Sequence, residues 1–135
     1  MAEPVAPIAN ALSQPFLDGA SEGRLCLPYC LATEQLFWPP SPSSPFVQGS
    51  TVAWREVPAE GRLLSRVTYR RAFQQAFAAA LPYAVGLVEI APGVRLLAHL
   101  AAPDRADAPQ PGEQVRLGFS RIAEGSPPVL AILGG

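Results

Sequence analysis

Few side chains in this sequence could do covalent chemistry. The one histidine, His99, lies beside Leu97 and Leu100, and no Asp or Glu in its own stretch is placed to orient it. It reads as a structural side chain rather than a general base. Serines are plentiful, but none sits in a G-x-S-x-G elbow that would expose a nucleophile. The glycines form no phosphate-cradling loop, and the scattered acidic residues make no general acid/base pair. Cys26 and Cys30 are spaced C-x-x-x-C, which is half of a structural zinc site; four ligands are needed, the chain has no other cysteine, and its only histidine is remote. The two cysteines therefore read as small packed hydrophobes. No catalytic residue, metal or cofactor is expected. One group invites a ligand: Arg62, Arg66, Arg70 and Arg71, followed by Phe73 and Phe77. Guanidinium forks suit phosphates, and the rings suit a base such as adenine. A solvated strand face with core aromatics behind it is the alternative.

Composition narrows the choices. With 49% apolar residues and a mean hydropathy of +0.18, the chain is not a disordered one. Its 135 residues suffice for a sizeable core. Only 16% of residues are charged, well under the usual quarter or so, which suggests that part of the surface is covered by something else. Net charge is −1 and all ten basic residues are arginine. A nucleic-acid binder usually carries a basic excess, so that class is disfavoured. Met1 to Ala20 has Glu3 and no basic residue, unlike the charged start of a secretory signal. The longest apolar run, Ala76 to Val88, is broken by Pro82 and falls short of the ~20 residues a membrane helix needs. A cytoplasmic protein with reduced cysteines is expected.

The elements that must position these residues are mostly strands. Pro15 to Glu22 reads as a helix, with Phe16, Leu17 and Ala20 on one face and Gly23 ending it. Leu25 to Cys30 is a short apolar stretch leading to Leu36–Phe37–Trp38. Pro39 to Pro45 holds four prolines and must be a loop. Thr51 to Val57 is rich in β-formers. Leu63 to Arg70 alternates, with Arg66, Thr68 and Arg70 on one face and Val67 and Tyr69 on the other. Pro82 to Ile90 is nearly continuous in apolar residues and reads as a strand buried on both faces. Val94 to Leu100 follows the Pro92–Gly93 turn, with Arg95 and His99 on the same side. Glu113 to Ile122 sets Val115, Leu117 and Phe119 inward against Arg116 and Ser120, and Pro128 to Leu133 forms a last strand. Arg71 to Leu81 favours one or two helical turns. Five or six short strands at this spacing predict a small barrel or sandwich.

These segments, taken in order, resemble the two-part domain-of-unknown-function 35 family. Pro15–Phe16–Leu17–Asp18–Gly19 and Glu22–Gly23–Arg24–Leu25 resemble its helix. Leu36–Phe37–Trp38–Pro39–Pro40 resembles its ribbon hairpin. Thr68–Tyr69–Arg70–Arg71 through Phe77, then Leu81–Pro82–Tyr83–Ala84–Val85–Gly86–Leu87–Val88–Glu89–Ile90, resembles its most recognisable stretch. Gly112–Glu113–Gln114–Val115 to Phe119 resembles its last barrel strand. The resemblance implies a mainly β fold: a five-stranded OB-fold barrel over residues 49–135, preceded by an N-terminal helix and a degenerate zinc-ribbon lobe over 1–48. The family's four ribbon ligands fall here on Cys30, Thr33, Ser44 and Val47, so zinc is not expected, and Leu27, Leu36, Phe37, Trp38 and Phe46 are expected to hold the lobe. The implied function is that of a non-catalytic accessory subunit bound to a thiolase-like or other acyl-CoA-processing enzyme. Because OB-folds bind on strands two and three and nearby loops, Tyr69, Arg70, Arg71, Phe73 and Phe77, at the end of the second strand and beyond, are the candidate contacts with coenzyme A or with the partner. A free-standing acyl-CoA-binding module is the alternative, and a single-stranded nucleic-acid binder a weaker one.

Overall fold

The computed structural model describes residues 13–70, 82–121 and 128–134. Helix α1 (Gln14–Ser21) starts with proline in its first turn, where a missing N–H costs nothing. Its end is a Schellman motif: Arg24 N donates to Gly19 O at 2.7 Å and Gly23 N to Ala20 O at 3.1 Å. Gly23 supplies the left-handed residue this requires, at φ 75°. The turn delivers Phe16 and Ala20 to the interior.

Strands β1 (Cys26–Cys30) and β2 (Val52–Glu56) form a two-stranded antiparallel sheet. Five further strands, β3 (Glu60–Tyr69), β4 (Tyr83–Ala91), β5 (Val94–Ala101), β6 (Gln114–Ser120) and β7 (Val129–Gly134), close a barrel in the order β3-β4-β5-β7-β6. All neighbours are antiparallel except β5 and β7, which pair in parallel at His99 and Ala131. The ring is completed by β3 against β6. A register shift between Leu63 and Ser65 bends β3, the usual device for turning a sheet into a barrel. Gly61 permits a close crossing, since a Cβ there would stand 2.5 Å from Glu89 O.

The expected five-stranded OB-fold barrel with its preceding helix is present. Two details differ. β2 pairs with β1 and not with the barrel, so the strand ending at Tyr69 is the barrel's first strand and not its second. β4 is not buried on both faces: its burial alternates, because one face lines the barrel interior while Val85 and Leu87 sit on the outer wall, half-buried. Alternation in β6 follows the expected pattern, with Val115 and Leu117 buried and Phe119 packed against the core.

One cluster of buried side chains runs from Phe16, Leu25 and Leu27 through Val57 into the barrel residues Leu63, Val88 and Leu117. Phe16 is the hinge pin of this arrangement, its ring 5.1 Å from Trp38 and 5.9 Å from Phe119. Of the residues expected to hold the lobe, Leu27 and Phe37 are buried, and Leu36 and Trp38 pack against the core. Phe46 is not buried; it is 47% exposed, with its ring edge-on to Phe37 at 6.2 Å. The Arg71 to Leu81 segment, with its expected helical turns, lies outside the described residues.

Candidate functional site

The end of β3 carries two of the expected contact residues. Tyr69 faces Tyr83 across the ladder, and their rings stack at 5.3 Å. Tyr83 in turn stacks on His99 of β5, again at 5.3 Å. Alternation places all three rings on the outer wall of the barrel, crossing three strands. Burial raises the Tyr83 pKa, with a smaller contribution from Tyr69. Burial also lowers that of His99, whose Nε2 is buried without a hydrogen-bond partner. Among the described residues no carboxylate bonds to the ring, whose face is packed on Tyr83.

The arginines of the cluster do separate jobs. Arg70 forms a two-pronged bond with Asp104, at 2.6 and 2.8 Å, which holds the Asp104 carboxyl below its usual range. Arg66 donates to the carbonyls of Pro103 and Pro109, each at 3.2 Å. Together they pin the 102–113 loop to β3. Arg62 lies at the other end of β3, opposite Glu89, in a cleft of about 670 Å³ that Arg55, Glu60 and Glu89 also line. The structure thus brings together Tyr69 and Arg70 but sends Arg62 elsewhere. Arg71, Phe73 and Phe77 lie outside the described residues.

Sequence reading missed the apolar character of the wall around the rings. Val67 pairs with Val85, Val85 with His99, and Leu87 with Leu97. Val67 is 58% exposed, Leu97 67% and Leu133 of β7 56%. The signal was present in the doubled Leu96–Leu97, where one leucine faces in and the next must face out.

The zinc-ribbon positions do not suit a metal ion. Val47 has no donor atom. Ser44 Oγ already accepts from the backbone N–H groups of Phe46 and Val47, at 3.0 and 3.2 Å. Among the described residues, no group of three or more His, Cys, Asp or Glu side chains is placed to hold a metal.

Residues 54–120 match the family described as the ChsH2 C-terminal OB-fold domain. The chain is of this domain-of-unknown-function 35 type. A solved structure described as "Ltp2-ChsH2(DUF35) aldolase" contains a similar chain, with 26% sequence identity and a TM-score of 0.78. The match covers 93% of this chain and 96% of that one. No curated protein matches. In this ChsH2-type barrel the outer wall of β3, β4 and β5 carries exposed Val67 and Leu97 as well as the Tyr69–Tyr83–His99 stack. No helix among the described residues is long and apolar enough to cross a membrane.

Proposed function

We propose that this chain is a non-catalytic accessory subunit. It binds a thiolase-like, aldolase or other acyl-CoA-processing enzyme in the cytoplasm, and the β3 end contacts the coenzyme A of that enzyme's substrate. The observation that carries the reading is the outer wall itself. Val67, Leu97 and Leu133 stand in solvent on a chain with only 16% charged residues, and exposed apolar area of this kind commonly marks an interface. The similar chain of nearly equal span in a structure named for two components and an aldolase supports an enzyme as the occupant.

Coenzyme A contact is assigned to Tyr69 and Arg70, with Arg71, Phe73 and Phe77 as the further candidates. Arg70 would have to exchange Asp104 for a ligand phosphate, so Asp104→Ala should tighten any such contact and Arg70→Ala weaken it.

The test is co-expression with the products of the neighbouring genes, followed by co-purification. A stable complex that Val67→Asp and Leu97→Asp together abolish is the expected result. A chain that stays monomeric and soluble with no enzyme attached would count decisively against it. Titration calorimetry of the isolated chain with acyl-CoA separates the subunit from a free-standing acyl-CoA module: micromolar binding by the chain alone favours the module.

A further inference from the structure

At the tip of the N-terminal lobe the two loops that carry the ribbon positions face each other around Cys30. We propose that hydrogen bonds of Cys30, Ser44 and Ser50 with each other's loops and backbone close the lobe in place of a metal ion. The lobe of this chain therefore assembles without zinc.

Cys30 ends β1 and is wholly removed from solvent. Its Sγ lies 3.5 Å from Ser50 Oγ. The first loop folds tightly back on its own cysteine: Glu34 N donates to Cys30 O at 2.7 Å, and Cys30 N to Gln35 O at 2.9 Å. The second loop is organised by Ser44, the one buried polar side chain among the described residues. Its Oγ collects two backbone N–H groups, from Phe46 and Val47, while its own N–H reaches Ser50 O at 3.4 Å. Leu31 N donates to Thr51 O at 3.1 Å and ties the first loop to the strand that follows the second.

A structural zinc ion needs four donors, of which thiolate and imidazole are the usual ones. Here one thiol, two neutral hydroxyls and an isopropyl group occupy the four positions. What the arrangement does satisfy is hydrogen bonding. Ser44 accepts from two amides, and the sulfur lies within hydrogen-bond distance of Ser50. Buried groups in such a cluster are costly only when a partner is missing. The metal's task of joining two loops is done by hydrogen bonds.

The experiment uses the full chain, purified without chelator. Metal analysis should find no stoichiometric zinc, and EDTA should leave the thermal midpoint unmoved. Ser44→Ala orphans two amides and should lower Tm by about 5–10 °C. Should that variant fail to fold, Cys30→Ser and Cys30→Ala decide: the serine, which keeps a hydrogen-bonding hub, should melt well above the alanine. A triple variant with Thr33→Cys, Ser44→Cys and Val47→Cys should take up roughly one zinc per chain and become EDTA-sensitive. Stoichiometric zinc in the natural chain, or an EDTA-induced drop in its Tm, overturns the proposal. So does Ser44→Ala with an unchanged Tm, equal melting of the two Cys30 variants, or a triple variant that takes up no zinc.

Discussion

The surroundings of His99 and of Cys30 lower the pKa of each, and both make stability depend on pH in the same sense. Burial lowers the His99 pKa below the ordinary 6.5. The unfolded chain therefore binds a proton more readily than the folded one, and stability falls as pH drops below about 6.5. Tyr83 covers the ring, and Arg105 and Asp107 line the neighbouring cleft without bonding to it. His99→Phe keeps the stack and should flatten that limb of a urea-denaturation series taken from pH 5 to 7. Burial pushes the Cys30 thiol up, but the hydroxyls of Ser44, Thr33 and Ser50 outweigh it and bring it down to about 6. Its contribution is complete above the unfolded value of 9.0 and is lost as pH falls toward 6. Cys30→Ser should remove the rise in stability between those limits. Arg70 and Asp104, by contrast, are both more than half exposed. A double-mutant cycle on them should give a coupling under about 1 kcal/mol, despite the two-pronged geometry.

Elements whose two faces meet different surroundings were legible in the sequence. Val115, Leu117 and Phe119 alternate because β6 has a barrel interior on one side and solvent on the other. α1 was legible because Phe16 and Ala20 share a face and Gly23 closes the helix. The partnership of β2 was not, because nothing local to Thr51–Val57 says that it will pair with Cys26–Cys30 across a proline-rich loop. Of the candidate site, Tyr69 and Arg70 were picked out by type, but their partners were hidden by distance along the chain: Asp104 is 34 residues from Arg70. Leu97 follows Leu96 in a strand, so one of the two must face outward, but neither type nor spacing says which is left in solvent. Packing at the element scale predicts a sharp penalty at Gly61. A Cβ there would meet Glu89 O at 2.5 Å and Val88 Cγ1 at 2.7 Å, where β3 crosses close to β4. Gly61→Ala should cost about 1–3 kcal/mol, measured by chemical denaturation, with an unchanged m-value. Leu63→Ala, at a wholly buried position beside it, should cost about 2–5 kcal/mol.

For the molecule as a whole, inner and outer surfaces answer to different demands. The inner cluster joins helix, two-stranded sheet and barrel into one core, so a cavity made in any of them weakens all. The outer wall contributes little to that core. Val67→Asp and Leu97→Asp should each change stability by no more than about 0.5 kcal/mol while removing enzyme capture, a separation that co-purification alongside thermal melting would register.

The seat of β7, between β5 and β6, has a consequence for handling this protein. That strand pairs with β6 at five positions and with β5 through the His99–Ala131 bridge. A chain cut after Ser120 would leave two raw strand borders side by side, each an open template for another copy. Proteolysis in the stretch before β7 should therefore yield precipitate or strand-swapped assemblies rather than a trimmed, well-behaved fragment.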